Sequence, residues 1–267
     1  MDTNQVTAPP FKEPPLMRIG LFIPCYMNEL YPGTSMATLE VLERLGLDVD
    51  YPLAQTCCGQ PMANSGCTRD LKELALRFLR IFQDYDYIVG PSGSCVAMVR
   101  VHYAQFIAGE PGFERLKERT FELCEFLHDV IRVETFDVSF PHKVGLHNSC
   151  HGHRDLRLGS PSELHIPCYN KLENLLRKID GLELVTPQRP DECCGFGGTF
   201  AVTEKDVSVA MGNDRIADHL HAGAEVMTGA DVSCLMHMDG LIRRQGKPLR
   251  VMHMARILNG EAPDGAS

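Results

Sequence analysis

The chain has no run approaching the roughly eighteen consecutive apolar residues that a membrane-spanning helix needs. Its opening stretch, MDTNQVTAPPFKEPPL, is polar and proline-rich, without the apolar centre of a signal peptide. Both absences predict a cytoplasmic protein with a flexible N-terminus over residues 1–16. Positive charge is also short: 26 Lys and Arg against 35 Asp and Glu leave a formal net charge of −9. A nucleic-acid surface needs a cationic excess on at least one face, so that partner class is set aside. Neither a GxGxxG spacing nor a P-loop lysine is present, and the glycines of GFGG, Gly195 to Gly198, read as turn residues. No CxxCxxCxxxCP run occurs, so the chain carries no ferredoxin-type cubane domain of its own.

Cysteine, by contrast, is abundant. Eleven of the 267 residues are cysteines, an odd number in a chain expected to meet a reducing cytosol. Metal or redox chemistry therefore outranks a disulfide scaffold.

The cysteines fall into an internal repeat. RIGLFIPCY, from Arg18 to Tyr26, has a counterpart in KVGLHNSCH, from Lys143 to His151, each a short apolar strand running into a cysteine. A helix follows in each half, predicted over Thr34 to Leu45 and over Tyr169 to Ile179 from leucines at helical spacing. Then come a strand and a cysteine pair with glycine, TCCGQP at Cys57 and Cys58 and ECCGFGG at Cys193 and Cys194. Further helices over Thr68 to Phe82 and Asp206 to Leu220 lead to β-rich tetrads, Tyr87 to Gly90 and Glu225 to Thr228. The loops after them end in Cys95 and Cys234.

Strands alternating with helices imply an α/β fold of two similar Rossmann-like units with parallel sheets, related by a pseudo-two-fold. The linker is placed between Glu134 and Pro141, giving units over residues 17–137 and 138–258 and a flexible C-terminus over 259–267. Ligands of such sheets gather at the carboxyl ends of the strands, where all these cysteines fall.

Two sets of four follow: Cys25, Cys57, Cys58 and Cys95, then Cys150, Cys193, Cys194 and Cys234. Thiolates are the main ligands of iron–sulfur clusters, soft enough to match iron in a sulfide core. Adjacent cysteines in extended chain point to opposite sides, so sharing a site needs a tight bend, which Gly59 and Gly195 can supply. Buried free thiols are the competing reading, and it is preferred for Cys67, Cys124 and Cys168, which have no partner in the other half. HNSCHGH brings His147, Cys150, His151 and His153 close in sequence and suggests zinc, with His147 read as a packed core residue. His151 and His237 are candidates for hydrogen bonding a cluster sulfur or relaying a proton. No catalytic residue is assigned.

The segments QTCCGQPMANSG, YIVGPSGSC, CCGFGGTF and SCLMH resemble the CCG-domain family of iron–sulfur oxidoreductases, from Met17 to Leu258. That family includes heterodisulfide reductase B subunits and glycolate oxidase iron–sulfur subunits. The resemblance implies one or two clusters, of the 4Fe-4S type, held by the eight cysteines. It also implies a subunit that oxidises L-lactate to pyruvate together with a ferredoxin-type iron–sulfur subunit and a third subunit. Reduction of disulfides or quinones, the role of a glycolate oxidase iron–sulfur subunit, and a zinc-stabilised assembly role stand as alternatives. One departure is clear: the heterodisulfide reductase pattern ends each motif in CxxC, and the first of those positions here are Ser92 and Asp231. Each site thus lacks one thiolate or exchanges it for oxygen, and zinc in one half stays open.

Overall fold

The computed structural model describes residues 17–263; the N-terminal stretch 1–16, on which the first flexibility expectation falls, and residues 264–267, the last part of the expected flexible stretch 259–267, lie outside the described residues. Among the described residues, eight strands form two four-stranded sheets. The first contains β1 (Arg18–Leu21), β2 (Asp48–Asp50), β3 (Tyr87–Gly90) and β4 (Thr120–Glu122). The second contains β5 (Lys143–Leu146), β6 (Glu183–Val185), β7 (Val226–Gly229) and β8 (Arg250–His253). The orders are β2-β1-β3-β4 and β6-β5-β7-β8, and every pairing is parallel. The topology of the first half thus recurs in the second, as the α/β repeat predicts.

Helices fall where the leucine spacing places them, with changes at the ends that have local causes. Pro32–Arg44 carries proline in its first turn, where a missing N–H costs nothing. The helix expected over Tyr169 to Ile179 is confined to Lys171–Leu176. Asn170 stops it from starting earlier, because its side chain accepts from the backbone N–H groups of Leu172 and Glu173. Leu71–Phe82 starts three residues late, behind a turn in which the Leu71 N–H donates to the Thr68 carbonyl. Lys205–His221 is its longer equivalent.

One apolar cluster runs through both halves, joining Ile19, Leu21 and Val89 of the first sheet to Val144, Leu146 and Val226 of the second. Two further clusters lie one to each half, the first built on Phe22, Phe78 and Phe82 and the second on Ile216, Met227 and Met238. Contacts between the halves are reciprocal. Helical segments after β4, Leu123–Glu125 and Phe126–Ile131, pack on Lys171–Leu176; Met254–Leu258, after β8, packs on Pro32–Arg44. A pseudo-two-fold arrangement produces such exchange of equivalent contacts. Polar links follow it: Lys171 reaches Asp129 at 2.5 Å, and Asn259 donates to Glu40 at 2.6 Å and accepts from Arg44. No helix among the described residues is long and apolar enough to cross a membrane.

Candidate metal centre

Each cysteine of the two sets sits just past a strand's carboxyl end. Cys25 opens the helix Cys25–Leu30 after β1, and Cys95 lies in Gly93–Ala97 after β3. Cys57 and Cys58 fill the loop between β2 and the short helix Gln60–Asn64. The bend required of a CC pair is present, since Gly59 and Gly195 both have φ +85°. Their N–H groups turn back on the first thiol of each pair, Gly59 on Cys57 at 3.4 Å and Gly195 on Cys193 at 3.3 Å.

Within each half the four sulfurs form a chain. The Cys25 thiol donates to the Cys57 sulfur at 3.4 Å, and Cys58 bridges Cys57 and Cys95. In the second half the Cys193 sulfur faces the thiols of Cys150 and Cys194, and Cys194 also faces that of Cys234. One sulfur in each chain is thereby favoured as thiolate. Donation from Cys25, then from Cys58, pulls Cys57 down to about 3. Donation from Cys150, then from Cys194, pulls Cys193 down to about 2. The Cys25 and Cys150 thiols move up in return, because they are the donors and are part-buried. All eight cysteines are free of disulfides, and together they line a single cavity of about 140 Å³. Two sets of four converging thiols suit a metal ion or an iron–sulfur cluster.

Comparison with known proteins points to a cysteine-rich family. A family model described as "CCG: Cysteine-rich domain" matches residues 19–100 and 144–239. The chain belongs to the CCG cysteine-rich family. Among its relatives is lactate utilization protein A of Geobacillus thermodenitrificans, 43% identical over 247 residues, covering 91% of this chain and 99% of that protein. The protein of the same name from Exiguobacterium sp. is 42% identical, covering 90% and 96%. That of Shouchella clausii is 39% identical, covering 92% and 100%. A solved hypothetical protein from Helicobacter pylori shares the fold, with a TM-score of 0.62 at 12% identity. It aligns with 92% of this chain, which spans 49% of that longer chain.

Two buried residues of the cavity lining are explained by backbone geometry. Ser92 caps Gly93–Ala97 by accepting from the Cys95 N–H, and Asp231 caps Val232–Gln245 by accepting from Ser233. The second Asp231 oxygen accepts the Ser94 N–H from the other half at 2.7 Å. Beside it the Gly93 N–H donates to the Ala230 carbonyl at 3.0 Å. Both positions therefore lock a cysteine-bearing turn, and Asp231 also locks the halves together across the cavity.

The histidines separate by their partners. His151 lines the cavity, held between the Asp155 carboxylate at 2.7 Å and the Gln60 amide at 3.2 Å. His237 lies outside the lining and donates to the Ser208 carbonyl at 3.2 Å; His153 is engaged by the Ser160 carbonyl at 3.0 Å. His147 is fully buried, as a core residue should be, yet neither ring nitrogen has a partner. The sequence signal for it was available in the repeat, where His147 stands at the position of Phe22.

Two expected outcomes arise here. Gly59→Ala and Gly195→Ala should each lower metal content in their own half, since φ +85° costs an L residue on the order of 1–2 kcal/mol. The second should be worse. A methyl at 195 would meet the Ser208 carbonyl oxygen at 2.8 Å, whereas at 59 it meets the movable end of Leu71 at 2.5 Å. Metal analysis and thermal melts of both variants check the order. Cys67, Cys124 and Cys168 should tolerate replacement by serine or alanine with full metal retention: Cys67 and Cys168 are exposed, and Cys124 is buried in the core away from the cavity. Cys124→Ala should cost stability on the order of 1 kcal/mol by leaving a small void. Metal loss in any of the three would reassign the ligands.

Proposed function

We propose that the chain is an iron–sulfur electron-transfer subunit of a multi-subunit cytoplasmic complex that oxidises L-lactate to pyruvate. The observation that carries this reading is the convergence of all eight repeat cysteines on one cavity. The substrate comes from the name of relatives about 40% identical over nearly their full length. In this reading Cys25, Cys57, Cys58 and Cys95 hold one 4Fe-4S cluster, and Cys150, Cys193, Cys194 and Cys234 hold a second. A bound cluster supplies single-electron acceptance and release.

The chain's own residues do the rest. Gly59 and Gly195 turn each cysteine pair so that both thiols face the cavity side of the strand ends. Ser92 and Asp231 hold the turns of Cys95 and Cys234, and the Asp231–Ser94 bond keeps the two sets at a constant separation. A fixed, preorganised donor set reduces the rearrangement that accompanies each change of charge. The sequence has no nicotinamide or ferredoxin-type motif. Electrons therefore enter and leave through partners, a ferredoxin-type iron–sulfur subunit and a third subunit.

The test has two parts. Anaerobically purified chain should contain iron and acid-labile sulfide, and by itself should not turn over L-lactate with an artificial acceptor. Turnover should appear when the two partner subunits are added. Lactate turnover by the single chain, or a colourless zinc-replete protein, would overturn the reading; reduction of disulfides by the single chain would favour the reductase alternative.

A further inference from the structure

The two halves share topology, yet the residues behind their cysteines differ in kind. Phe22 and His147 each follow the last residue of a central strand, β1 or β5, and each precedes its cysteine by three positions. Around Phe22 the contacts are aromatic, with ring centroids 4.9 Å from Phe78 and 5.9 Å from Phe82. In the second half the residue facing Gly145 is His219, where Phe82 and Tyr85 face Gly20. Arg215 precedes His219 by one helical turn, as Phe78 precedes Phe82. An aromatic trio in one half is thus replaced by His147, Arg215 and His219 in the other.

Packing does not account for the exchange, because aromatic rings fill the same place in the first half and buried polar groups need partners. Arg215 has them on its two terminal nitrogens: Asp218 at 2.9 Å, the Arg189 carbonyl at 2.5 Å and the His219 ring at 3.0 Å. His147 has none on either nitrogen. Its ring lies instead beside the second cysteine set, with one nitrogen and the sulfurs of Cys194 and Cys234 all within 4.8 Å of one another. Neither nitrogen is engaged elsewhere, so the ring has a nitrogen to offer at the place these sulfurs share. Phe22 offers the first set nothing comparable.

We infer that His147 is a nitrogen ligand of the metal group in the second half, so that the two sites are chemically unequal: thiolate alone in the first, thiolate and imidazole in the second. The inference rests on the reading that the cysteines hold metal. It deepens that reading by giving the second site a ligand set compatible with zinc as well as iron. Imidazole ligation also raises the reduction potential of an iron–sulfur centre relative to thiolate alone, so the second site should be the easier to reduce.

The test uses full-length chain labelled with ¹⁵N-histidine, reconstituted without oxygen with ferrous iron and sulfide and then reduced with dithionite to the paramagnetic state, and in parallel loaded with cobalt(II). Cys194→Ser isolates the first site and Cys58→Ser the second. Pulsed electron paramagnetic resonance should find a strong histidine-nitrogen coupling in wild type and in Cys58→Ser, and none in Cys194→Ser. Adding His147→Phe to Cys58→Ser should abolish the coupling, whereas His151→Ala should leave it. Cobalt bands should shift in the same variants. Metal present in the second half without a nitrogen coupling in the otherwise unaltered chain would overturn the inference alone. Failure of wild type to take up either iron or cobalt would overturn the metal reading and this inference with it. The unaltered chain gives the deciding spectrum, so a misfolded His147→Phe does not remove the test.

Discussion

Replacing Cys58 by serine should strip metal from the first half and leave the second occupied; Cys194→Ser should do the reverse, and the double variant should hold none. These two cysteines are the centres of their sets. Cys58 is buried, bridges Cys57 and Cys95, and its carbonyl accepts the Tyr103 hydroxyl at 2.9 Å. Cys194 is equally buried and joins Cys193 to Cys234. A serine hydroxyl is a harder, more basic donor than a thiol and matches iron in a sulfide core poorly. Close thiolates repel, and a bound metal offsets that repulsion, so metal binding and local order are coupled. Each variant should therefore lose hydrogen-exchange protection in its own cysteine loops, around Gln60–Asn64 for Cys58→Ser. Iron, sulfide and visible absorbance of the three variants decide the matter. Loss of all metal in both single variants would mean one group shared across the cavity; wild-type content in both would mean that the CCG cysteines are not ligands.

Arg215→Met should be the most damaging change away from the cysteines. The guanidinium is wholly buried and pairs with Asp218, itself only 6% exposed. Removing one partner of a buried ion pair typically costs about 3–5 kcal/mol, because the other charge is left without compensation. Here the lower end is expected, since Asp218 also accepts the N–H groups of Gln188 and Arg189 at 2.9 and 3.0 Å. Asp218 keeps its carboxyl below the usual range, as those amides and Arg215 outweigh the cost of burial. A depressed folded-state pKa contributes stability above the unfolded value, near 3.9, and loses it as pH falls through the folded value. The wild-type contribution should thus be complete at neutral pH and fade in acid, and Arg215→Met should flatten that acid limb. Denaturant melts at several pH values check this, and Arg215→Met with Asp218→Asn should recover part of the loss. An unchanged midpoint in the single variant would show that the pair is dispensable.

Much of the fold was legible because its signals are local. Tyr87 to Gly90 form β3 with the bounds read from four β-rich residues, and the leucines at 39, 42 and 45 announced Pro32–Arg44. The site was legible for the same reason: Cys57-Cys58-Gly59 and Cys193-Cys194-Gly195 need a bend that glycine permits, and both glycines take it. Helix ends were less legible. Asn170 ends the Lys171–Leu176 helix on its N-terminal side through side-chain bonds that outcompete the leucine pattern.

Against the heterodisulfide reductase pattern Ser92 and Asp231 stand where a ligand is missing or changed to oxygen, and His147 reads as core. Their surroundings depend on what lies opposite in space: a Ser94 N–H from the other half for Asp231, and for His147 the sulfurs of Cys194 and Cys234 within 4.8 Å of a ring nitrogen. By itself the sequence determined the repeat, the strand and helix order, the glycine bends and the identity of the eight thiols, since periodicity and backbone preference act over a few neighbouring residues. Only the tertiary structure decided that both sets open onto one cavity and that the sites differ behind it. Those features arise from docking two sheets through side chains far apart in the chain, where the burial of Ile19, Val89, Val144 and Val226 in a common core sets the distance between loops that share no local sequence.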